Sequence, residues 1–207
     1  MHYVISAVVG YLLGCVNPAA IASKIKNRDL RTLGTGNLGT TNTVMNFGKR
    51  WGAFVLAVDV MKAYIAVKLI QLVYPEYVTA KFVAGFAAVL GHCFPFYLNF
   101  RGGKGLASFA GFVLAADPLT FVILICVGLV LVILANYSFV LPFSASALFP
   151  FVAYGRTHSL GVFCVAFLTG ALIIAKHYTN MQKAREGKDI RVRDYFKKYV
   201  FSRKDGK

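Results

Sequence analysis

"LTFVILICVGLVLVILA", Leu119 to Ala135, holds no charged side chain. At about 1.5 Å per residue such a run makes roughly 25 Å of helix, close to the ~30 Å of hydrocarbon in a bilayer. It does not stand alone. Apolar runs of similar quality cover Tyr3 to Ala22, Gly52 to Tyr74, Phe82 to Leu98, Tyr137 to Tyr154 and Leu160 to Ala175. A further run, Leu106 to Ala116, is shorter. It reaches across only if Gly103 to Gly105 and Asp117 extend it; otherwise it lies as a half-helix inside the bundle. Composition agrees, with 57% hydrophobic residues, 15% charged residues and a mean hydropathy of +0.62, far from ordinary globular domains. The expectation is an all-α, polytopic integral membrane protein of about seven transmembrane helices. Residues 1–189 form the membrane domain, and 190–207 a basic tail.

The cations fall on one side of this arrangement. Counted by loop, six (Lys24, Lys26, Arg28, Arg31, Lys49, Arg50), two (Arg101, Lys104) and eleven from Lys176 onward share a side, against Lys81 and Arg156 opposite. The positive-inside rule then predicts an external N-terminus and a cytoplasmic C-terminus. Anionic lipid accounts for the net charge of +15, so nucleic acid is not implied. In the tail, Val192, Phe196, Tyr199 and Val200 recur at helical spacing among Arg191, Arg193, Lys197 and Lys198. That pattern suits a helix lying on the leaflet or a solubilising tail. The first apolar run has no basic residue before it and no clear cleavage pattern, which predicts a retained helix. Cys15, Cys93, Cys126 and Cys164 all lie in apolar segments without pairing or metal-ligand spacing, so neither a disulfide nor a metal is expected.

Three polar stretches interrupt the apolar runs, all on the cation-rich side. "DLRTLGTGNLGTTNT", Asp29 to Thr43, combines Gly34, Gly36 and Gly39 with Thr35, Asn37, Thr40, Thr41 and Asn42. Glycines permit positive φ and close approach, so the stretch reads either as an anion nest or as a loop whose Thr and Asn cap the flanking helices. "GHCFPFYLNFRGGKGLA", Gly91 to Ala107, places Arg101 and Lys104 among glycines just before the next apolar run. It is not a nucleotide P-loop, because Gly105 stands where a Ser or Thr would hold magnesium. A bent backbone with N–H groups at a helix start suits a phosphate monoester or an acyl phosphate; a simple positive-inside loop is the other reading. In "KHYTNMQKAREGKD", Lys176 to Asp189, His177 and Asn180 would share a helix face and could address one ligand. Asp59 and Lys62, also three apart, predict an internal ion pair or a water contact.

These stretches resemble the bacterial membrane glycerol-3-phosphate acyltransferases that take acyl phosphate as donor, from about Tyr11 to Asp189. Family members carry "GSGNxGATN", "GHxFPxxxxFKGGKG" and "HxxNIxRLxxGxE". Here these stand as Gly34 to Asn42, Gly91 to Gly105 with Arg101 in place of Lys, and His177 to Asp189. The resemblance implies transfer of a fatty acyl group to the 1-hydroxyl of glycerol 3-phosphate at the cytoplasmic side of the bacterial inner membrane, without a cofactor. It implies catalytic roles for Lys104, His177 and Asn180. Substrate contacts would come from Thr35, Gly36, Asn37, Gly39, Asn42, Gly102, Gly103 and Gly105. Two positions depart from the family: Met45 stands for an arginine, and Asn136 to Pro142 replaces a segment reading "RYVSLAS".

Overall fold

The computed structural model describes residues 1–188, 191–195 and 197, and no strand occurs among the described residues. The helices are α1 (His2–Cys15), α2 (Pro18–Ile25), α3 (Thr40–Phe47), α4 (Lys49–Val73), α5 (Val78–Cys93), α6 (Leu106–Ala116), α7 (Pro118–Ala135), α8 (Val140–Thr157), α9 (Leu160–Arg185) and the short α10 (Val192–Tyr195). Single 3-10 turns occupy Leu30–Thr32 and Phe96–Leu98. Each apolar run of the sequence is helical over most of its length.

The first run is not continuous. It breaks at Val16 and Asn17, because Pro18 has no N–H to extend a helix and Asn17 instead caps α2, its Oδ1 accepting from the Ala20 N–H at 2.9 Å. The break frees carbonyls that side chains of distant helices then satisfy. Tyr97 donates to the Cys15 carbonyl at 2.7 Å and Lys62 to the Val16 carbonyl at 2.6 Å.

Missing side chains bring the helices together. A Cβ on Gly10 or Gly14 would stand 2.2 Å from the carbonyl oxygen of Ala84 or Ala88, so α1 and α5 pack backbone to backbone, as small residues allow in membrane bundles. Gly111 brings α6 equally close to the Val60 carbonyl on α4. Between these contacts lies an aromatic core in which the Phe149 ring meets Phe109, Phe112 and Phe82 at centroid separations of 5.1, 5.5 and 6.3 Å. Helix α6 sits in this core as the interior half-helix, burying Phe109, Phe112, Val113 and Ala115.

Helix α7 turns only Thr120, Leu124, Gly128 and Val132 inward. Its other faces leave Val122, Leu129, Val130, Ile133 and Leu134 exposed. So much uncovered aliphatic surface is stable in hydrocarbon and not in water. By length and composition, four helical stretches can cross a membrane: His2–Ile25, Val78–Leu98, Pro118–Ala135 and Leu160–Arg185. Helix α4 is also long, with 25 residues, but carries Asp59, Lys62 and Lys68; α6, with 11 residues, is too short on its own.

At the end of the bundle that holds the N-terminus, Lys81 donates to the last carbonyl of α6, that of Ala116, at 2.9 Å. Beside it Asp117 accepts from Arg156 at 2.8 Å and from Thr120 at 2.7 Å. The Arg156 guanidinium, helped by Thr120, holds the Asp117 carboxyl at about 2. A depressed carboxyl stabilises the fold above the unfolded value, near 3.8, and the benefit disappears as pH falls through the folded value. Asp117→Asn therefore lowers the unfolding temperature at neutral pH by an amount worth less than about 1 kcal/mol, since the pair is partly exposed. Thermal unfolding in detergent should show the gap to wild type closing between about pH 4 and pH 2. The amphipathic tail pattern includes Phe196, Tyr199 and Val200, which lie outside the described residues, as does Asp189. Within the described part, the N–H groups of Val192 and Arg193 donate to Asn136 at the α7–α8 turn.

Candidate active site

Helix α5 stops at Cys93, ahead of Pro95, and the chain folds back on it. The Gly102 N–H donates to the Cys93 carbonyl and the Gly103 N–H to the His92 carbonyl, each at 3.1 Å. The return passes through left-handed Asn99 and Phe100, and the turn closes on Gly105 at φ 85°, where a side chain would be strained. Lys104 is thereby set at the start of α6, whose first N–H groups have no partner inside the helix and favour an anion.

The Asp29–Thr43 stretch is organised from within by Asn42. Its Nδ2 donates to the carbonyls of Leu30 and Leu33 at 2.9 and 3.1 Å, and its Oδ1 accepts from the Thr35 N–H and from Asn46 at 2.9 and 3.0 Å. Gly34 and Gly36 take φ 54° and 70°. Thr35 and Gly36 are exposed, Asn37 is half-buried, and Gly39 is buried at the start of α3. This loop touches the glycine turn: a Cβ on Gly103 would lie 2.8 Å from the Leu38 carbonyl.

The third element is the C-terminal part of α9. His177 is 5% exposed and its Nδ1 lies 2.9 Å from the Ile173 carbonyl. A carbonyl only accepts, so in the neutral ring Nδ1 carries the proton and Nε2 is an acceptor. One turn further, Asn180 Oδ1 accepts from the Lys104 ammonium, which leaves the Asn180 amide hydrogens for another acceptor. Lys104 and Lys176 are the cations acting on the His177 ring, and Lys176 also sits 4.5 Å above the Phe94 ring. The second and third polar stretches thus meet at Lys104, and the first touches the turn beside it.

At three of the expected substrate contacts the polar groups are paired within the protein. Gly102 and Gly103 spend their N–H groups on α5, and Asn42 uses both amide hydrogens and its oxygen inside its own loop. These residues shape the cradle. The glycine requirement at 102 and 103 is steric, because a Cβ would stand 2.0 Å from the His92 carbonyl or 2.2 Å from His92 Nε2. The ion pair expected between Asp59 and Lys62 is present at 2.8 Å. Its third member, His92 on α5, was not foreseen; the only signal was its place in the glycine motif. Met45 is half-buried on α3. Pro142 is buried in the first turn of α8, where no intrahelical N–H is lost.

A helical bundle clad in aliphatic side chains, with a cation, an imidazole and a carboxamide gathered beside a helix start, defines the class: an integral membrane protein with a polar cluster at one end. A family model described as "Glycerol-3-phosphate acyltransferase" matches residues 4–187. Glycerol-3-phosphate acyltransferase from Thermoanaerobacter sp. (strain X514) is 33% identical over 193 residues, covering 93% of this chain and 96% of its own. That of Coxiella burnetii (strain RSA 493 / Nine Mile phase I) is 36% identical over 196 residues, covering 93% and 100%. The crystal structure of PlsY (YgiH), an integral membrane glycerol 3-phosphate acyltransferase, superposes in its glycerol 3-phosphate form with a TM-score of 0.84 at 28% identity, over 92% of this chain and 96% of that one. Its lysophosphatidic acid form gives 0.82 at 27% identity. The chain belongs to the glycerol-3-phosphate acyltransferase family.

Proposed function

We propose that this protein transfers a fatty acyl group from an acyl phosphate to the 1-hydroxyl of glycerol 3-phosphate, releasing lysophosphatidic acid and phosphate. The observation that carries the reading is the meeting of Lys104, Asn180 and His177 at the start of α6. Lys104 and the first N–H groups of that helix supply charge and donors for a phosphate. His177 Nε2 can accept the hydrogen of the attacking hydroxyl, and the Asn180 amide can orient the glycerol backbone. An acyl phosphate is a mixed anhydride, so no acyl-enzyme is needed. The hydroxyl oxygen bonds to the acyl carbon, the bond between that carbon and the bridging phosphate oxygen breaks, and the departing phosphate takes up the proton the hydroxyl loses. Thr35, Gly36, Asn37, Gly39 and Gly105 complete the substrate-facing rim.

The cation distribution supports seven crossings with the N-terminus outside and the site facing the cytoplasm of the bacterial inner membrane. Pro142 and Met45 place carbon where the family resemblance has polar groups, which favours as second reading a relative that binds these ligands but transfers slowly. Purified protein in detergent, given palmitoyl phosphate and glycerol 3-phosphate, separates the two. Lysophosphatidic acid and phosphate appearing in equal amounts support the transferase. Binding of glycerol 3-phosphate without product supports the slow relative. Neither binding nor product would reject both.

A further inference from the structure

Asp59, Lys62 and His92 are 1%, 5% and 3% exposed, and the proposed acyl transfer uses none of them. Lys62 has three ammonium hydrogens and three acceptors around it: Asp59 Oδ1 at 2.8 Å, the Val16 carbonyl at 2.6 Å and His92 Nδ1 at 2.9 Å. If each takes one, His92 Nδ1 is unprotonated, its 3.1 Å approach to Asp59 Oδ1 reflects the ammonium they share and is not a hydrogen bond, the neutral ring keeps its proton on Nε2, and the cluster carries no net charge. Such a buried group is worth little as an ion pair, because desolvating the two charges offsets their attraction. Its surroundings suggest a different use. The His92 carbonyl holds the Gly103 N–H, and the His92 ring fills the space where Gly103 lacks a side chain and Leu38 approaches. The Asp59 carbonyl accepts from Ser108 in the first turn of α6 at 3.1 Å. Lys62 secures the α1–α2 break. The glycine turn at 103 and the first turn of α6 thus rest on the residues that carry the cluster, through the main-chain carbonyls of His92 and Asp59 and through the His92 ring.

We propose that Asp59, Lys62 and His92 are positioning residues for anion binding: together they fix the glycine turn and the first turn of α6, and so the placement of Lys104. The inference rests on reading the Lys104 cradle as a phosphate site. The test measures glycerol 3-phosphate binding by titration calorimetry on full-length protein in detergent, with thermal unfolding as the folding control. In His92→Asn the amide reaches only to the place of Nδ1 and leaves the Gly103 side empty; in His92→Gln it reaches the place of Nε2. His92→Asn should bind roughly tenfold more weakly than wild type and His92→Gln within about threefold, since small displacements of a binding group are costly. The double variant Asp59→Asn/Lys62→Met removes both charges together, and should fold yet bind at least about tenfold more weakly. A merely structural cluster predicts wild-type affinity in every variant that folds, and that result overturns the proposal, as does failure of all three variants to fold. If wild type itself binds no glycerol 3-phosphate, the functional reading has failed. Hydrogen exchange then decides: residues 101–106 should exchange faster in His92→Asn than in wild type, and unchanged exchange there overturns the positioning role.

Discussion

Lys104→Ala is expected to lower kcat/KM for acyl transfer by at least about 100-fold, or about 2.7 kcal/mol of lost transition-state stabilisation. A charge-assisted contact to phosphate contributes roughly 1.5–3 kcal/mol. Here the charge acts beside helix-start N–H groups that have no partner inside the helix, preorganised donors that need no rearrangement in the transition state. The variant should remain folded, because Lys104 is only half-buried and its ammonium bonds to a side chain, Asn180. Its unfolding temperature in detergent should lie within a few degrees of wild type. Lys104→Arg is not expected to restore turnover, since a planar guanidinium does not replace a compact ammonium between two tight glycines. Activity is measured as initial rates against glycerol 3-phosphate concentration at saturating palmitoyl phosphate. Wild-type turnover in the alanine variant would remove Lys104 from the chemistry and leave the cradle as a positive-inside loop.

Much of this site was legible in the sequence because local chemistry decides it. A lysine flanked by glycines ahead of an apolar run has to sit at a helix start, and His177 and Asn180 three residues apart have to share a helix face. The apolar runs were legible for a similar reason, since a stretch without charge long enough to cross hydrocarbon has few alternatives. What the sequence did not disclose is where amide hydrogens go. Gly102 and Gly103 look like anion donors in one dimension, yet their N–H groups are spent on α5, a partner set by the reversal at Asn99 and Phe100. Asn42 looks like a ligand contact, yet it closes a loop on carbonyls nine and twelve residues back. The break at Val16 was readable from Asn17-Pro18 alone, but the high hydropathy on both sides masks it. His92 joins Asp59 and Lys62 across thirty and more residues, and no periodicity within one helix reports a contact between two.

Gly103→Ala tests the steric account of the glycine turn most directly. The added methyl would lie 2.2 Å from His92 Nε2 and 2.8 Å from the Leu38 carbonyl, and neither neighbour is free to retreat. The His92 ring is held by the Lys62 ammonium, itself paired with Asp59, and Leu38 is buried against Ala19, Leu30 and Val55. Overpacking of this kind costs about 1–3 kcal/mol, so the unfolding temperature should fall clearly. The turn also has to move away from α5, taking Lys104 with it, and a displacement near 1 Å can cost on the order of 100-fold in rate. Gly155→Ala is the control. Nothing lies within 4 Å of a Cβ at that position inside α8, so it should be neutral or stabilise by up to about 1 kcal/mol with unchanged activity. A Gly103→Ala protein with the stability and the KM for glycerol 3-phosphate of wild type would show that the turn yields without consequence, and the fixed placement of Lys104 would no longer explain the site.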